Sequence, residues 1–156
     1  MTQKVDTLLR NAIVLTMDGK LNQYDPGAVA VKDDVIVAVG PEAEIKKEYS
    51  ANETIDCNGK VLMPGLINAH THVPMTLLRG LADDLRLDVW LMGYMLPVER
   101  EFVSPEFVRL GTLLACAEQI RSGVTTFNDM YFFEDAIAQA TADAGMRAVC
   151  GQSVMK

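Results

Sequence analysis

A two-part α/β chain is predicted by three observations. Residues 1–60 hold short β-branched runs separated by turn dipeptides, which is all-β patterning with one short helix. Residues 61–156 alternate strand and helix patterns, the rhythm of a parallel sheet. At the change stands an apolar run, Val61-Leu62-Met63-Pro64-Gly65-Leu66-Ile67-Asn68-Ala69, which ends in His70-Thr71-His72.

In the first part Leu8 to Met17 reads as a strand, stopped by the turn residues Asp18-Gly19. Ala28 to Val31 and Val35 to Val39 are two further β runs, and Asp33-Asp34 between them suits a tight hairpin. Pro41 opens a helical stretch through Tyr49. Glu53 to Cys57 is another strand, and Asn58-Gly59 is a two-residue hairpin signal leading into Lys60 to Met63. Strands of this length and spacing predict a small sandwich or a partial barrel.

In the second part Leu66 to Ala69 is a short buried strand, followed by a long connection from Val73 to Val103. Ser104-Pro105-Glu106 then opens a helix, with serine at the N-cap, proline at the first helical position and an acid in the first turn. Phe107, Leu110, Leu114, Ala117 and Ile120 recur at three and four residues and predict its buried stripe. Gly123 caps it, Val124 to Asn128 is a strand, Glu134 to Ala144 a helix capped by Gly145, and Arg147 to Gly151 a third strand. Three parallel strands with two helices fit either a small open sheet or the opening of a closed (β/α)8 barrel of roughly 250 residues.

Composition excludes several classes. With 49% hydrophobic and 22% charged residues the chain is globular. A net charge of −7 and no Lys/Arg cluster argue against nucleic acid and anionic membrane surfaces as partners. No apolar run reaches the ~18 residues that span a bilayer. Met1-Thr2-Gln3-Lys4-Val5-Asp6 carries an acid early and leads into no cleavable apolar core, so no secretory leader is expected. Cys57, Cys116 and Cys150 are odd in number and far apart, which predicts reduced, mostly buried thiols in a cytoplasmic protein.

His70 and His72 are the two histidines of the chain. A strand repeats every two residues, so both imidazoles point the same way at the strand's end, where two neutral rings can grip one metal ion. Barrel enzymes carry their chemistry at the C-terminal ends of their strands.

The run Met63-Pro64-Gly65-Leu66-Ile67-Asn68-Ala69-His70-Thr71-His72 resembles the first-strand signature of the amidohydrolase superfamily. Leu8-Leu9-Arg10-Asn11-Ala12-Ile13-Val14-Leu15-Thr16-Met17-Asp18 is similar to the opening strand of that family's composite sandwich. Arg79-Gly80-Leu81-Ala82-Asp83-Asp84, Trp90-Leu91, Leu96-Pro97-Val98-Glu99 and Ser122-Gly123-Val124-Thr125-Thr126-Phe127 resemble the branch that deaminates 5-methylthioadenosine and S-adenosylhomocysteine. The same branch includes guanine deaminases and triazine chlorohydrolases, which are the alternative reading.

The resemblance implies residues 1–60 as part of a composite β-sandwich and residues 61–156 as the first three strands and first helices of a metal-dependent (β/α)8 barrel, incomplete here. It implies His70 and His72 as ligands of one divalent ion, zinc or alternatively Fe2+, which would activate water for attack on an aromatic ring carbon. Glu99 falls where the branch keeps a carboxylate for the ribose hydroxyls, and Trp90 where an aromatic lines the nucleoside pocket. The family draws two more histidines, an aspartate and a proton-shuttling glutamate from later strands, and no third histidine exists in this chain.

The expected partners are therefore a small nucleoside and either the remaining barrel or another copy of the chain. The 156 residues alone are expected to be inactive, and a non-catalytic truncated fragment is the contrasting reading. Some nucleoside deaminases of the branch carry an arginine at the end of the third strand, whereas here Gly151-Gln152-Ser153-Val154 has none and Arg147 begins the strand. Met75, Met92 and Met95 are expected to form a soft apolar wall. Asn68 and Asn128-Asp129 read as strand-end residues.

Overall fold

In the computed structural model, which describes residues 2–154, the chain divides into two units, Met1–Pro64 and Gly65–Lys156. The first unit is a mixed sheet built from β1 (Gln3–Leu15), β2 (Gln23–Lys32), β3 (Val35–Pro41), β4 (Tyr49–Asp56) and β5 (Val61–Leu62), with helix α1 (Glu42–Glu48) between β3 and β4. The strand order is β3-β2-β1-β4, and β5 pairs with β1 beyond the end of β4. Val5, Leu8, Ala28 and Ala30 bury the sheet against Ile45 of α1, while Ala12, Val14 and Val29 form a second cluster with Leu9, Val31 and Leu62. The Asp33-Asp34 loop joins β2 to β3 with Lys32 opposite Val35, and Asp33 adopts the left-handed conformation that such a loop needs (φ 52°).

Asn58-Gly59 does not make the expected hairpin. Both residues have positive φ (51° and 71°), yet β4 and β5 run parallel along the same edge of β1. The cause is the length of β1, 13 residues from Gln3 rather than a strand begun at Leu8, which leaves room for both. Cys57 N donates to Arg10 O (2.9 Å), Gly59 N to Asn11 O (2.8 Å) and Ile13 N to Lys60 O (3.0 Å), so the turn is a sidestep on one edge rather than a reversal. The described residues of this unit form one sheet. Leu9, Val14, Val29, Ile36 and Leu62 line an apolar hollow of about 270 Å3 on it.

The second unit is a three-stranded parallel sheet, β6 (Leu66–Thr71), β7 (Val124–Tyr131) and β8 (Arg147–Gln152), in the order β6-β7-β8. Helix α4 (Pro105–Arg121) links β6 to β7 and α5 (Glu134–Asp143) links β7 to β8. The expected long connection from Val73 is instead largely helical: a 3-10 turn at Val73–Leu78, a short α2 (Leu87–Val89), a π turn at Trp90–Met95 and α3 (Leu96–Phe102). The helical path widens to the π turn just ahead of Pro97, which has no N–H to donate.

Helix α4 starts as expected, with Ser104 Oγ accepting from Phe107 N (3.2 Å). Its buried face is not the expected one. Val108, Gly111, Thr112, Ala115 and Cys116 are buried, whereas Leu110, Leu114 and Ile120 are 57%, 41% and 52% exposed. The reason is what the helix meets. At Gly111 it passes so close to the 3-10 turn that an added Cβ would lie 2.5 Å from Pro74 O, so the face of small residues turns inward. Thr112 is tolerated there because its hydroxyl donates to Val108 O (2.8 Å). The core gathers Val73, Val108, Ala115, Cys116, Phe127, Tyr131 and Ile137.

Of the three free thiols Cys116 is buried, Cys57 half-buried and Cys150 exposed. The expectation of mostly buried cysteines therefore holds for one of them, because Cys150 lies on β8, an edge strand of the sheet. Among the described residues no helix is long and apolar enough to cross a membrane.

Candidate functional site

The C-terminal ends of β6 and β7 build the site. His70 and His72 stand on the same side of β6, with ring centroids 5.2 Å apart, the rings perpendicular and their Nε2 atoms separated by 3.3 Å. His72 Nδ1 lies 2.6 Å from the carbonyl oxygen of Met130. A carbonyl only accepts, so this contact requires the Nδ1–H tautomer and leaves the His72 Nε2 lone pair free to face His70.

A tetrahedral ion with metal–nitrogen distances of about 2.0–2.1 Å sets its ligand nitrogens roughly 3.3–3.4 Å apart. The two imidazoles therefore match one edge of a zinc-type site. They are two candidate donors only: among the described residues no cluster of three His, Cys, Asp or Glu side chains stands ready to hold a metal.

Asp129 anchors the turn that carries this pair. It sits opposite Thr71 in the sheet and is 1% exposed. Its Oδ1 accepts from Thr71 Oγ1 (2.5 Å) and from Val73 N (2.7 Å), one residue to either side of His72. Its second oxygen, Oδ2, is buried without a hydrogen-bond partner among the described residues. Asn128 reaches back from its Nδ2 to Ala69 O (3.2 Å), a strand-end link.

His72, Trp90, Glu99 and Tyr131 line one cleft of about 230 Å3, with Met75, Leu91, Met130, Phe132 and Ser153 completing its wall. Trp90 opens the π turn and Glu99 lies on α3, both half-buried. The Glu99 carboxylate accepts from the Tyr131 hydroxyl through Oε1 (2.7 Å). Burial, then the adjacent Glu99 carboxylate, push the Tyr131 hydroxyl far above the usual tyrosine range, so it stays a donor.

The expected methionine wall is built differently. Met75 lines the cleft, but Met95 is buried and Met92 is 66% exposed away from it, and Met130 of β7 takes the place they were expected to fill.

Sequence reasoning missed Tyr131, the Met130 carbonyl and the anchoring task of Asp129. A signal was present: Phe127, Asp129 and Tyr131 alternate along β7 and are all buried. An aspartate in phase with two inward aromatics marks a buried carboxylate that must be satisfied.

The amidohydrolase family matches residues 61–156, and the imidazolonepropionase-like composite domain of bacteria matches residues 27–49. The chain is 51% identical over 151 residues to the 5-methylthioadenosine/S-adenosylhomocysteine deaminase of Syntrophobacter fumaroxidans, covering 97% of this chain and 34% of that protein. It superposes on an adenosine deaminase from Xanthomonas campestris with bound zinc at a TM-score of 0.90 and 44% identity, covering 95% of this chain and 34% of the other. With a zinc complex of atrazine chlorohydrolase from Arthrobacter aurescens the TM-score is 0.83 and the identity 25%, over 96% and 36% of the two chains. The chain thus spans about a third of the length of the proteins it resembles.

Proposed function

Because the chain belongs to the amidohydrolase family, we propose that the intact protein is a metal-dependent hydrolytic deaminase of adenine nucleosides of the 5-methylthioadenosine and S-adenosylhomocysteine type. In this reading residues 1–60 contribute to a composite β-sandwich and residues 61–156 open a (β/α)8 barrel. The rest of the barrel pairs with the outer edges of β6 and β8 and covers the side chains of Ile67 and Val149, which are 71% and 63% exposed. Three unpaired cysteines suit a cytoplasmic setting.

The observation that carries the reading is the shared cleft. His72, paired with His70 at 3.3 Å, and the Glu99 carboxylate open on the same space. A nucleoside needs this combination: metal-ligating imidazoles at the base and an acceptor-only carboxylate at the sugar.

His70 and His72 would hold the ion through their Nε2 atoms, and the ion supplies an activated water for attack on the ring carbon that bears the amino group. The Met130 carbonyl holds the His72 ring in its ligating tautomer. Asp129 fixes the turn around His72 through Thr71 and Val73. Glu99 accepts hydrogen bonds from the ribose hydroxyls, and Trp90 walls the cleft against water with a flat apolar surface. Displacement of the amino group at the purine 6-position then releases ammonia.

The test is a substrate panel with the intact, zinc-loaded protein. Ammonia release in step with nucleoside loss is expected for 5-methylthioadenosine, S-adenosylhomocysteine and adenosine, with free adenine much poorer. Turnover of guanine or of a chlorotriazine in preference to all three nucleosides would overturn the substrate assignment. No turnover of any of them would overturn the enzymatic reading.

A further inference from the structure

The Tyr131–Glu99 hydrogen bond joins a buried corner of β7 to a side chain carried on the short α3. Tyr131 is 4% exposed and its ring belongs to the core of the second unit. Its backbone is held at both ends: Tyr131 N donates to Glu134 Oε1 (2.6 Å), and Tyr131 O accepts from Ser153 N (2.8 Å). The following residues lock the same corner. Phe133 adopts a left-handed conformation (φ 54°, ψ 49°), unusual for a bulky side chain, and Glu134 N donates to Gln152 Oε1 (3.1 Å). The phenolic oxygen is thus a fixed point.

Glu99 has no such support of its own. It sits on the seven-residue α3, and among the described residues the side chain that hydrogen-bonds its carboxylate is Tyr131. A free glutamate samples many rotamers and loses that freedom on binding a ligand.

We propose that Tyr131 is a positioning residue for nucleoside recognition, its hydroxyl holding Oε1 of Glu99 so that Oε2 is presented to a ribose hydroxyl. The inference rests on the reading of Glu99 as the ribose acceptor and deepens it. The Tyr131 ring also lies 6.5 Å from the His72 ring, so the side chain stands beside the imidazole end of the cleft while its hydroxyl reaches the carboxylate end. Tyr131 acts through Glu99, so its effect should be confined to ligands that carry the ribose hydroxyls. The raised pKa of the hydroxyl keeps its proton in place for donation across the working pH range.

The experiment compares ligands with and without those hydroxyls in the intact protein. Tyr131→Phe keeps the ring and removes the hydroxyl. KM for adenosine is expected to rise about tenfold, the loss typical of one hydrogen bond to a charged group, with kcat changed less than about twofold. For 2′,3′-dideoxyadenosine the rise should be at least about fivefold smaller. Calorimetric binding of inosine and 2′,3′-dideoxyinosine, neither of which has an amino group to lose, should show the same selectivity without turnover. In a Glu99→Gln background Tyr131→Phe should add little further loss.

Equal losses for both nucleosides, no loss for either, or full additivity with Glu99→Gln would overturn the proposal. If Glu99→Gln alone fails to discriminate the two nucleosides, the ribose reading of Glu99 has failed instead, and the two failures are told apart. Should Tyr131→Phe not fold, fluorotyrosine at position 131 strengthens the donor without altering the packing. It must shift KM for adenosine selectively, and an unchanged KM overturns the proposal.

Discussion

His72 Nδ1 donates to Met130 O at 2.6 Å, and through that bond β7 decides what β6 can ligate. With its Nδ1 proton committed, His72 can offer only the Nε2 lone pair to its neighbour, and His70 Nε2 waits 3.3 Å away. In the proposed reading both nitrogens would ligate the ion. We predict that His70→Ala and His72→Ala in the intact protein each reduce bound zinc from near one equivalent to background, measured by plasma mass spectrometry after dialysis. Retention of near-stoichiometric zinc in either variant would refute the ligand assignment.

Asp129 should matter to metal affinity although it stands behind the ligands. Its Oδ1 gathers the Thr71 hydroxyl and the Val73 amide around His72. Partners that hydrogen-bond a ligand directly are worth roughly 10–100-fold in metal affinity, and Asp129 acts one link further out, so a loss at or below the low end of that range is expected. Asp129→Ala leaves the buried Val73 N–H without an acceptor, at a cost of about 1–3 kcal/mol. The expected outcome is weaker zinc binding by competition with a chromophoric chelator, together with a lower urea midpoint. An Asp129→Ala protein with both quantities unchanged would remove the anchoring role.

The parts of the fold legible in the sequence are those written in local chemistry. Ser104-Pro105-Glu106 announces α4 because a cap, a fixed φ and a first-turn acid act within four residues. The face that α4 buries is not local. Leu110, Leu114 and Ile120 share the 3.6-residue period with Gly111, Thr112 and Ala115, and only the nearby backbone of Pro74 selects the small residues. The same distinction applies to the site. His70 and His72 are adjacent by strand period, so their pairing can be read from spacing. Tyr131 meets Glu99 across 32 residues, a separation spanned by α4 and β7 that no local pattern bridges. Asn58-Gly59 misleads for a related reason: the dipeptide specifies the turn's φ values, but the partner edge is specified by the length of β1.

Two glycines on the path from His72 to the end of α4 should respond in opposite directions. At Gly111 a methyl group would meet Pro74 O at 2.5 Å and Pro74 Cα at 2.8 Å, both backbone atoms that cannot swing away. Gly111→Ala should cost about 1–3 kcal/mol as an overpacking change. It should also raise KM, because the displaced Val73–Leu78 turn carries Met75 of the cleft wall. At Gly93, within the π turn, nothing lies within 4 Å of the added carbon, and Gly93→Ala should be neutral or stabilising by up to about 1 kcal/mol. Thermal unfolding of both variants checks the contrast, and a stabilised Gly111→Ala would contradict the close approach.

Glu134 gives the protein a stability that weakens as pH rises. The side chain is 6% exposed, its Oε1 accepts from Tyr131 N and its Oε2 is buried without a partner among the described residues. Burial raises its pKa first, and the nearby Asp129 charge raises it further. A carboxyl whose folded pKa lies above the unfolded value binds its proton more tightly when folded. Its contribution is therefore fully present below the unfolded value of about 4.5 and is lost as pH climbs through the raised folded value. Glu134→Gln keeps an acceptor for Tyr131 N and cannot ionise. The expected result is a flatter dependence of the melting temperature on pH above about 4.5, and a gain over wild type that grows toward neutral pH. Parallel curves for the two proteins across that window would show that Glu134 ionises in the folded state as freely as in the unfolded one.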